Sequence, residues 1–485
     1  MKLNELELNI DYFEFKEKFY QQLKATPLNH PHLISYNKQA FDLIGLDYEE
    51  AQKEEFVQFI NGEIVLKGSV PYAMAYAGHQ FGYFVPQLGD GRAINLGEIN
   101  GWHLQTKGSG LTRYSRQGDG RAVLRSSIRE YIMSEAMFGL GIATTRALGL
   151  IGSSHGVYRS YEEVETGAVV MRMSPSWIRI GTFEFFARSS DAKENLTQLA
   201  DYVIEQSYPH LKNEKDKYEK MFFELCDKTA LLMAQWQAYG FMHGVMNTDN
   251  MSVAGVTIDY GPFAFMDYFQ ADCICNHTDV EGRYSFSNQP YVARWNLEVL
   301  ANSLGKICRF GNLTDYLNTF MFQYKKAFWD IMTQRLGLQV EHSPNSYSPL
   351  IKQLLGALEA SKMDYNVFFY ELTQLKSLDD ISPILNLAVY RDILQEWFEE
   401  YKKAIEDEKR SDEERHEVMK RVNPKYIIKN YMLQEAIEHA TQGDFTLVND
   451  LLHIAQHPFD EHKSFEKYTK PTPLQFANLK LSCSS

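Results

Sequence analysis

The amino-acid sequence predicts an α+β protein with two lobes, in which a small β-rich lobe precedes an enlarged and mainly helical one. Residues 85–107 have the pattern of strand, glycine-rich turn, strand, hairpin and strand, with Asn100 and Gly101 as the hairpin turn. A second hairpin is predicted over residues 156–173. Residues 218–239 carry apolar side chains at the spacing of a long amphipathic helix. Strand patterns therefore precede helical patterns along the chain.

The sequence has no internal repeat and no low-complexity linker, so these patterns alone divide it. We assign residues 1–84 to an N-terminal extension that packs on the lobes, residues 85–190 to the β-rich lobe and residues 191–485 to the helical lobe. No chemistry is evident in the extension. Residues 395–421 are expected to form one charged helix, which Asn423-Pro424 ends.

Composition and charge narrow the class of function. Hydrophobic residues make up 44% of the 485 residues and charged residues 23%, as in ordinary globular proteins. The net charge of −14 argues against a nonspecific nucleic-acid or anionic-membrane surface. The five cysteines do not form a disulfide framework, and the sequence contains neither a signal-peptide core nor a long apolar run. We therefore expect a cytoplasmic enzyme without a nucleic-acid or membrane partner.

Residues 243–261 resemble the catalytic loop and the metal-binding segment of kinase-like phosphotransferases. Such enzymes carry a His, an Asp base, an Asn that holds magnesium, and then an Asp-Phe-Gly whose Asp also holds magnesium. Here Asn250 and Asp259 occupy the two metal positions. Val245 stands where the base is expected, and an acid is found instead at Asp249. The metal ligands are therefore present without the usual base.

Residues suited to phosphate binding precede this stretch in the order found in a kinase-like small lobe. Gly89 and Gly91 belong to a turn in which no Cβ keeps phosphate away from the backbone. Lys107 ends the third predicted strand, where it could reach phosphates and pair with a helix Glu. Glu130 is one candidate for that pair and Glu135 is its rival. A solvated helix acid remains the alternative interpretation of Glu130.

A second glycine cluster and two arginines offer further contacts to an anion. Residues 117–121 lie directly before a predicted helix over residues 122–138, and a helix N-terminus presents free backbone N–H groups. Arg172 and Arg179 flank a predicted turn and could bind one polyphosphate, since guanidinium binds phosphate bidentately. Ordinary ion pairs are the alternative for both arginines.

Two interpretations of Asn250 and Asp259 compete. In isolation, an Asx turn and a helix cap would be favoured. The preceding Lys107 and glycine loops favour a magnesium site that nucleotide phosphates complete. Asp249, beside the metal Asn, could accept a proton from an incoming hydroxyl group.

Longer motifs along essentially the whole chain resemble the selenoprotein O family. They are Gly89-Asp-Gly-Arg92, Lys107-Gly-Ser-Gly110, the runs 114–126 and 243–250, Ile258-Asp-Tyr-Gly-Pro262, Asn423-Pro-Lys-Tyr-Ile427 and the terminal Cys483-Ser-Ser485. The resemblance implies a protein-kinase-like fold in which ATP is bound inverted, so that its α-phosphate faces the acceptor. It also implies transfer of AMP to hydroxyl side chains of proteins, with pyrophosphate as the leaving group. Transfer of UMP from UTP with manganese is attributed to bacterial members.

The resemblance also implies roles for individual residues. The nucleotide would contact Gly89, Gly91, Arg92, Lys107, Asp119, Gly120, Glu130, Arg172, Arg179 and Asp259. Asn250 and Asp259 would bind Mg²⁺ or Mn²⁺, and Asp249 would be the proton acceptor. With the nucleotide inverted, the position of Val245 is no longer the place for a base.

The cysteines suggest a regulatory disulfide. Cys275 follows the metal Asp in the region of an activation loop, and Cys483 stands where selenoprotein O proteins carry selenocysteine or cysteine. A bridge between them would tie the tail to the helical lobe and could gate activity. Cys273 is an alternative partner, and reduced cysteines remain the simpler interpretation. A zinc site at Cys273 and Cys275 has less support, because no second ligand pair is evident.

Two other functions remain open. The first is a kinase that transfers the γ-phosphate, against which Val245 counts. The second is a noncatalytic nucleotide-binding regulator, against which the intact Lys107, Asn250 and Asp259 count. The target proteins and the preferred acceptor among Ser, Thr and Tyr cannot be identified from the sequence.

Overall fold

The computed structural model describes residues 1–158, 164–340, 347–408 and 410–476, and it has an α+β fold with a large antiparallel sheet. The strands are β1 (Tyr20–Gln22), β2 (Pro31–Tyr36), β3 (Tyr72–Gln80), β4 (Tyr83–Gly89), β5 (Ala93–Ile99), β6 (Trp102–Lys107), β7 (Ala122–Val123), β8 (Arg146–Tyr158), β9 (Val164–Ser174), β10 (Phe241–Met242) and β11 (Ala264–Phe265). The helices before residue 305 are α1 (Lys38–Ile44), α2 (Glu54–Asn61), α3 (Leu124–Gly139), α4 (Ile180–Ala187), α5 (Ala192–Ser207), α6 (Lys217–Tyr239) and α7 (Gln289–Leu304). The later helices are α8 (Phe310–Leu317), α9 (Phe320–Arg335), α10 (Ser348–Ser361), α11 (Tyr365–Gln374), α12 (Ser382–Leu385), α13 (Arg391–Glu408), α14 (Asp412–Val422), α15 (Asn430–Thr441) and α16 (Thr446–Gln456).

The main sheet confirms both predicted hairpins. Its strand order is β1-β3-β5-β6-β9-β8-β2, with β4 paired to β3 and β7 paired to β9. Asn100 and Gly101 join β5 to β6 with φ values of 52° and 79°. Positive φ at both positions is what a two-residue type I′ turn requires. The second hairpin is β8–β9, and its connecting residues 159–163 lie outside the described residues.

The N-terminal segment contributes three strands to this sheet, where the sequence pattern suggested a packing extension. β1 pairs with β3 at one edge, β3 pairs with β5, and β2 pairs with β8 at the opposite edge. β3 is buried over most of its length, so its sequence lacks the polar–apolar alternation of a half-buried strand. The proposed boundary at residue 84 falls within β4, and as a domain boundary it remains a prediction.

Helices cover both faces of the sheet. On β9, Val169 and Met171 pack with apolar residues of α1 and α2, whereas Val170 faces the core that contains α3. Lys107 pairs with Val170 across β6 and β9, and Gln105 pairs with Arg172. Because side chains alternate along a strand, these partners lie on the α3 face of the sheet. The register therefore directs Lys107 and Arg172 towards α3.

The helices confirm the prediction from the sequence at α6 and contradict it at α13. α6 ends at Gly240, whose φ of 74° is the left-handed conformation of a helix C-cap. The expectation of one helix over residues 395–421 is wrong, because two helices occupy this stretch. Ser411 Oγ accepts the Glu414 N–H and Glu414 Oε2 accepts the Ser411 N–H. This capping box starts a new helix at α14.

In the part of the chain that the structure describes, no helix is both long enough and apolar enough to cross a membrane.

Candidate active site

One cavity of about 640 Å³ lies between the α3 face of the sheet and the loop that follows β10. Its lining includes the nucleotide, metal and base candidates from the sequence: Gly89, Gly91, Arg92, Lys107, Asp119, Gly120, Glu130, Arg172, Arg179, Asp249, Asn250 and Asp259. Val245 lines it as well. The fold therefore brings together residues that are far apart in the sequence.

Asp259 lies at the centre of a network of charges in this cavity. Arg172 Nη1 donates to Asp259 Oδ1 at 2.6 Å and to Glu130 Oε1 at 2.7 Å. Lys107 Nζ lies 2.7 Å from Glu130 Oε2 and 3.8 Å from Asp259 Oδ1. Arg179 Nη1 donates to the other carboxylate oxygen of Asp259. Three cations thus surround two carboxylates.

The network keeps Asp259 ionised. Burial raises the pKa of its carboxyl, but Arg179, Arg172 and Lys107 together hold that pKa well below its usual range. Burial likewise raises the pKa of Glu130, and the positive charges of Lys107 and Arg172 outweigh it. The three cations carry one positive charge more than the two carboxylates neutralise. An anionic phosphate group would therefore find both charge and hydrogen-bond donors here.

Each member of the network is positioned by a different element. Arg172 lies on β9 and Lys107 ends β6, so the sheet register sets both. Glu130 lies on α3, which packs across the same face. Arg179 precedes α4 and forms an antiparallel bridge with Ser252, beside the loop that carries Asn250.

A buried histidine connects the two loop segments that carry the metal candidates. His243 Nε2 lies 2.8 Å from the Ile258 carbonyl oxygen, and the ring stacks on Trp236 of α6 at 5.5 Å between centroids. Burial lowers the pKa of His243, so the imidazole is neutral and donates from Nε2 to that carbonyl. This bond fixes the start of the loop against the residue before Asp259.

The oxygen donors of Asn250 and Asp259 suit a hard divalent cation. Asn250 Nδ2 donates to the Val245 carbonyl at 3.1 Å, which leaves the amide Oδ1 for a ligand. Asp259 supplies an ionised carboxylate, and its φ of 57° turns the backbone sharply at that residue. Among the described residues, no group of three or more His, Cys, Asp and Glu side chains could hold a metal. One amide oxygen and one carboxylate are donors of the kind that Mg²⁺ and Mn²⁺ bind in proteins.

Asp249 is buried beside this pair in the 3-10 turn Thr248–Asn250. Gln80 Nε2 donates to Asp249 Oδ2 at 3.1 Å, and Asp249 Oδ1 has no hydrogen-bond partner among the described residues. Burial raises the pKa of Asp249 to about 6, against the opposing effects of Gln80 and Arg179. A carboxylate in this range is ionised at neutral pH and is basic enough to take a proton.

Both glycine loops pack closely against the segment 110–114 that lies between them in the sequence. Gly89 has a φ of 157°, and a Cβ there would lie 2.3 Å from the ring of Tyr114. Gly120 has a φ of 70°, and its Cβ would lie 2.2 Å from the backbone of Gly110. Asp119 Oδ1 accepts the Arg121 N–H at 2.9 Å, which closes the second loop just before β7 and α3.

The structure chooses between the two candidate partners of Lys107. Glu135 forms a buried ion pair with Arg146 of β8 at 2.7 Å, whereas Glu130 pairs with Lys107. The strand lysine and the helix acid predicted from the sequence are thus in contact.

Several residues of the cavity were not identified from the sequence. Tyr76 and Gln80 come from β3, for which no chemistry was predicted, and the guanidinium of Arg179 lies 4.8 Å from the Tyr76 ring centroid. Asp90, between the two glycines of the first loop, is buried and its Oδ2 accepts the Met74 N–H at 2.9 Å. Its place in the glycine motif was a usable signal, whereas β3 carried none.

The predicted disulfide lies partly outside the described residues. Cys483 belongs to the stretch 477–485, which the structure does not describe, so its bridge to Cys275 remains a prediction. Cys275 is buried, and a Cβ on Gly244 of the loop after β10 would lie 2.7 Å from its Sγ. Burial raises the pKa of both Cys275 and Cys273, and both thiols are free in the described part of the chain.

Comparison with known proteins identifies the family of this chain. A family model described as "Protein adenylyltransferase SelO" matches residues 2–456. A relative from Myxococcus xanthus (strain DK1622), named "Protein nucleotidyltransferase YdiU", is 43% identical over 490 residues that cover 100% of this chain and 99% of the relative. Relatives with the same name from Thiobacillus denitrificans (42% over 492 residues) and Pseudomonas aeruginosa strain LESB58 (40% over 488 residues) also cover 100% of this chain and 99% of their own.

These similarities make the chain an enzyme of the nucleotidyltransferase class. It belongs to the SelO family.

Proposed function

We propose that this enzyme transfers AMP from ATP to hydroxyl groups of Ser, Thr or Tyr side chains in target proteins and releases pyrophosphate. UMP transfer from UTP is the second reaction that the same site would perform. The observation that carries the proposal is the cluster of Lys107, Arg172 and Arg179 around an ionised Asp259, next to Asn250. The family description and the names of the relatives support a nucleotide donor and a protein acceptor.

The proposed architecture is a protein-kinase-like fold of two lobes. The sheet with α3 forms the small lobe, and the helices from α5 onwards form the large one. Two features support it: the ion pair between the strand residue Lys107 and the helix residue Glu130, and a long helix, α6, that leads into the catalytic loop.

In the proposed complex the nucleotide is bound inverted, with its α-phosphate towards the acceptor. Lys107, Arg172 and Arg179 bind the phosphates and offset the charge that develops on them. The nucleotide is further lined by Gly89, Gly91, Arg92, Asp119 and Gly120. Val245 has no group that accepts a proton, which agrees with an orientation in which that position needs no base.

The reaction exchanges one bond to the α-phosphorus for another. The acceptor hydroxyl oxygen forms the new bond, and the bond between the α-phosphorus and the oxygen bridging to the β-phosphate breaks. The hydroxyl proton passes to the carboxylate of Asp249, and the electron pair of the broken bond leaves with pyrophosphate. The pKa of about 6 supports Asp249 in this role.

Asn250 Oδ1 and the Asp259 carboxylate are proposed to hold Mg²⁺ or Mn²⁺. When bound, the cation offsets the negative charge of the phosphates. Asp259 contacts Arg172 and Arg179 in this structure, so its carboxylate must be shared between the arginines and the cation.

The composition of the sequence remains the basis for expecting this enzyme in the cytoplasm.

Labelled nucleotides test the reaction. The protein is incubated with a candidate acceptor protein and with ATP labelled on the α-phosphate or on the γ-phosphate. Transfer of the α-label supports the proposal, and transfer of the γ-label would establish a kinase instead. No transfer of either label, with ATP still bound, would indicate a noncatalytic regulator. The same assay with UTP measures UMP transfer.

A further inference from the structure

The end of β3 runs along the catalytic loop and is bonded to it by backbone N–H groups. The His79 N–H donates to Thr248 Oγ1 at 2.7 Å. The Phe81 N–H donates to Asn247 Oδ1 at 3.1 Å. The residue between these two anchors is Gln80, whose side chain lines the cavity. Its backbone is therefore held on both sides at a fixed distance from the loop.

We propose that Gln80 is a positioning residue that orients the carboxylate of Asp249 for proton transfer. The proposal rests on the proposed function, in which Asp249 accepts the proton. Gln80 Nε2 donates to Asp249 Oδ2 at 3.1 Å. Among the described residues, Asp249 Oδ1 has no hydrogen-bond partner. Gln80 is therefore the contact that fixes rotation of this carboxylate about its Cβ–Cγ bond.

Close packing makes this orientation specific. A Cβ on Gly78 would lie 2.5 Å from Asp249 Oδ1, so the strand backbone passes directly beside the carboxylate. A Cβ on Gly181 would lie 3.2 Å from Asp249 Cα. The two glycines leave room for Asp249 but little for displacement, so that rotation of the carboxylate is the remaining freedom.

Among the described residues, the Asp249 carboxylate accepts its side-chain hydrogen bond from a neutral amide and not from a guanidinium. The guanidinium of Arg179 contacts Asp249 only through the backbone carbonyl, at 2.7 Å, among the contacts of the described residues. Gln80 donates a hydrogen bond to the carboxylate without adding a charge, so it orients Asp249 without forming an ion pair.

The substitution Gln80→Leu tests the inference, because Leu fills a similar space without a donor. We expect kcat for α-label transfer to fall roughly 10–100-fold, the effect of losing one hydrogen bond to a charged group. The KM for ATP and the melting temperature should stay close to wild type. Gln87→Leu is the matched control, since Gln87 lies on neighbouring β4 and donates to the Leu88 carbonyl at 3.2 Å. It should change kcat less than about twofold, as surface substitutions do.

A double-mutant cycle separates positioning from an independent role. In an Asp249→Asn background, measured over long incubations, Gln80→Leu should cause no further loss if it acts through Asp249. An equal loss in both backgrounds, an effect on KM alone, or a wild-type kcat for Gln80→Leu would overturn the inference. Full activity of Asp249→Asn would overturn the proposed base itself, and would remove the ground for the role of Gln80.

Discussion

Lys107 Nζ lies 2.7 Å from Glu130 Oε2, so a buried ion pair joins the end of β6 to α3. The same lysine is 3.8 Å from Asp259 Oδ1, which extends the pair to the loop on the other side of the cavity. Lys107 thereby connects three parts of the site: the sheet, α3 and the loop that carries Asp259. In the proposed function, the positive charge of Lys107 binds the phosphates of the nucleotide.

Replacing Lys107 with Met removes that charge and keeps most of the side-chain length. We expect kcat/KM for α-label transfer to fall about 10²–10³-fold, because one group that stabilises the phosphate charge is lost. Lys326→Met is the control, since Lys326 pairs with Asp330 on the exposed surface of α9. If Lys107→Met transfers the α-label at the wild-type rate, Lys107 takes no part in the reaction.

Asp259→Asn keeps the shape of the side chain and removes its charge. We expect no detectable α-label transfer, because the cation loses its carboxylate ligand. The melting temperature should also fall, since Arg172 and Arg179 lose their shared anion, and breaking a buried pair costs about 3–5 kcal/mol. Calorimetry with and without ATP measures the second effect, and Asp330→Asn is the control. Unchanged activity would show that the metal site has been assigned wrongly.

Asp249→Asn keeps the size of the proposed base but cannot accept a proton. We expect kcat to fall roughly 10²–10⁴-fold, the usual contribution of a general base. The Kd for ATP should be retained, because the proposed phosphate ligands Lys107, Arg172 and Arg179 are untouched. Measuring kcat and Kd separately distinguishes loss of the base from loss of the nucleotide. A fall in affinity without a fall in kcat would contradict the proposed role.

Chelation of divalent cations should abolish transfer reversibly, and added Mg²⁺ or Mn²⁺ should restore it. In Asn250→Ala, the metal concentration for half-maximal activity should rise, because one of the two protein oxygens has been removed. A metal titration at saturating ATP gives this value for both proteins. An identical titration curve for Asn250→Ala and the wild type would exclude Asn250 as a ligand.

We expect the buried His103 to lower the stability of the folded protein in mild acid. Burial lowers the pKa of the buried His103 side chain to about 4. In the unfolded chain its pKa is about 6.5, so the unfolded state binds the proton first as the pH falls. The contribution of the neutral His103 to the free energy of unfolding is therefore fully present above about pH 6.5 and is lost progressively as the pH falls towards 4. It amounts to about 3 kcal/mol.

Denaturant unfolding at pH 7 and pH 4.5 measures this effect. In His103→Gln, the difference in stability between the two pH values should shrink by about 2–3 kcal/mol. His210→Gln is the control, because His210 is exposed. An unchanged pH dependence in His103→Gln would show that this residue is not the titrating group.

The local elements of the site were predictable because their signals are local. The hairpin at Asn100 needs only two residues that tolerate positive φ, and both have it. α3 and α6 follow from apolar spacing within single segments. The split between α13 and α14 was missed because the capping box at Ser411 was outweighed by a continuous charged pattern.

The choice between Glu130 and Glu135 shows where local signals end. The two acids are five residues apart on one helix, so they point about 140° away from each other. Which of them meets Lys107 depends on the rotation of α3 about its own axis. Packing against the sheet sets that rotation, and it directs Glu135 to Arg146 instead.

The sequence by itself determined the chemical inventory: a lysine at a strand end, two glycine loops, two arginines, and Asn250 with Asp259 at kinase-like spacing. Only the tertiary structure decided that both arginines meet at Asp259, and that Gln80 of β3 holds Asp249. The physical reason is range. Turn residues and periodicity act over a few neighbours in the chain, whereas these contacts join segments more than 70 residues apart and depend on how the sheet and the loop pack.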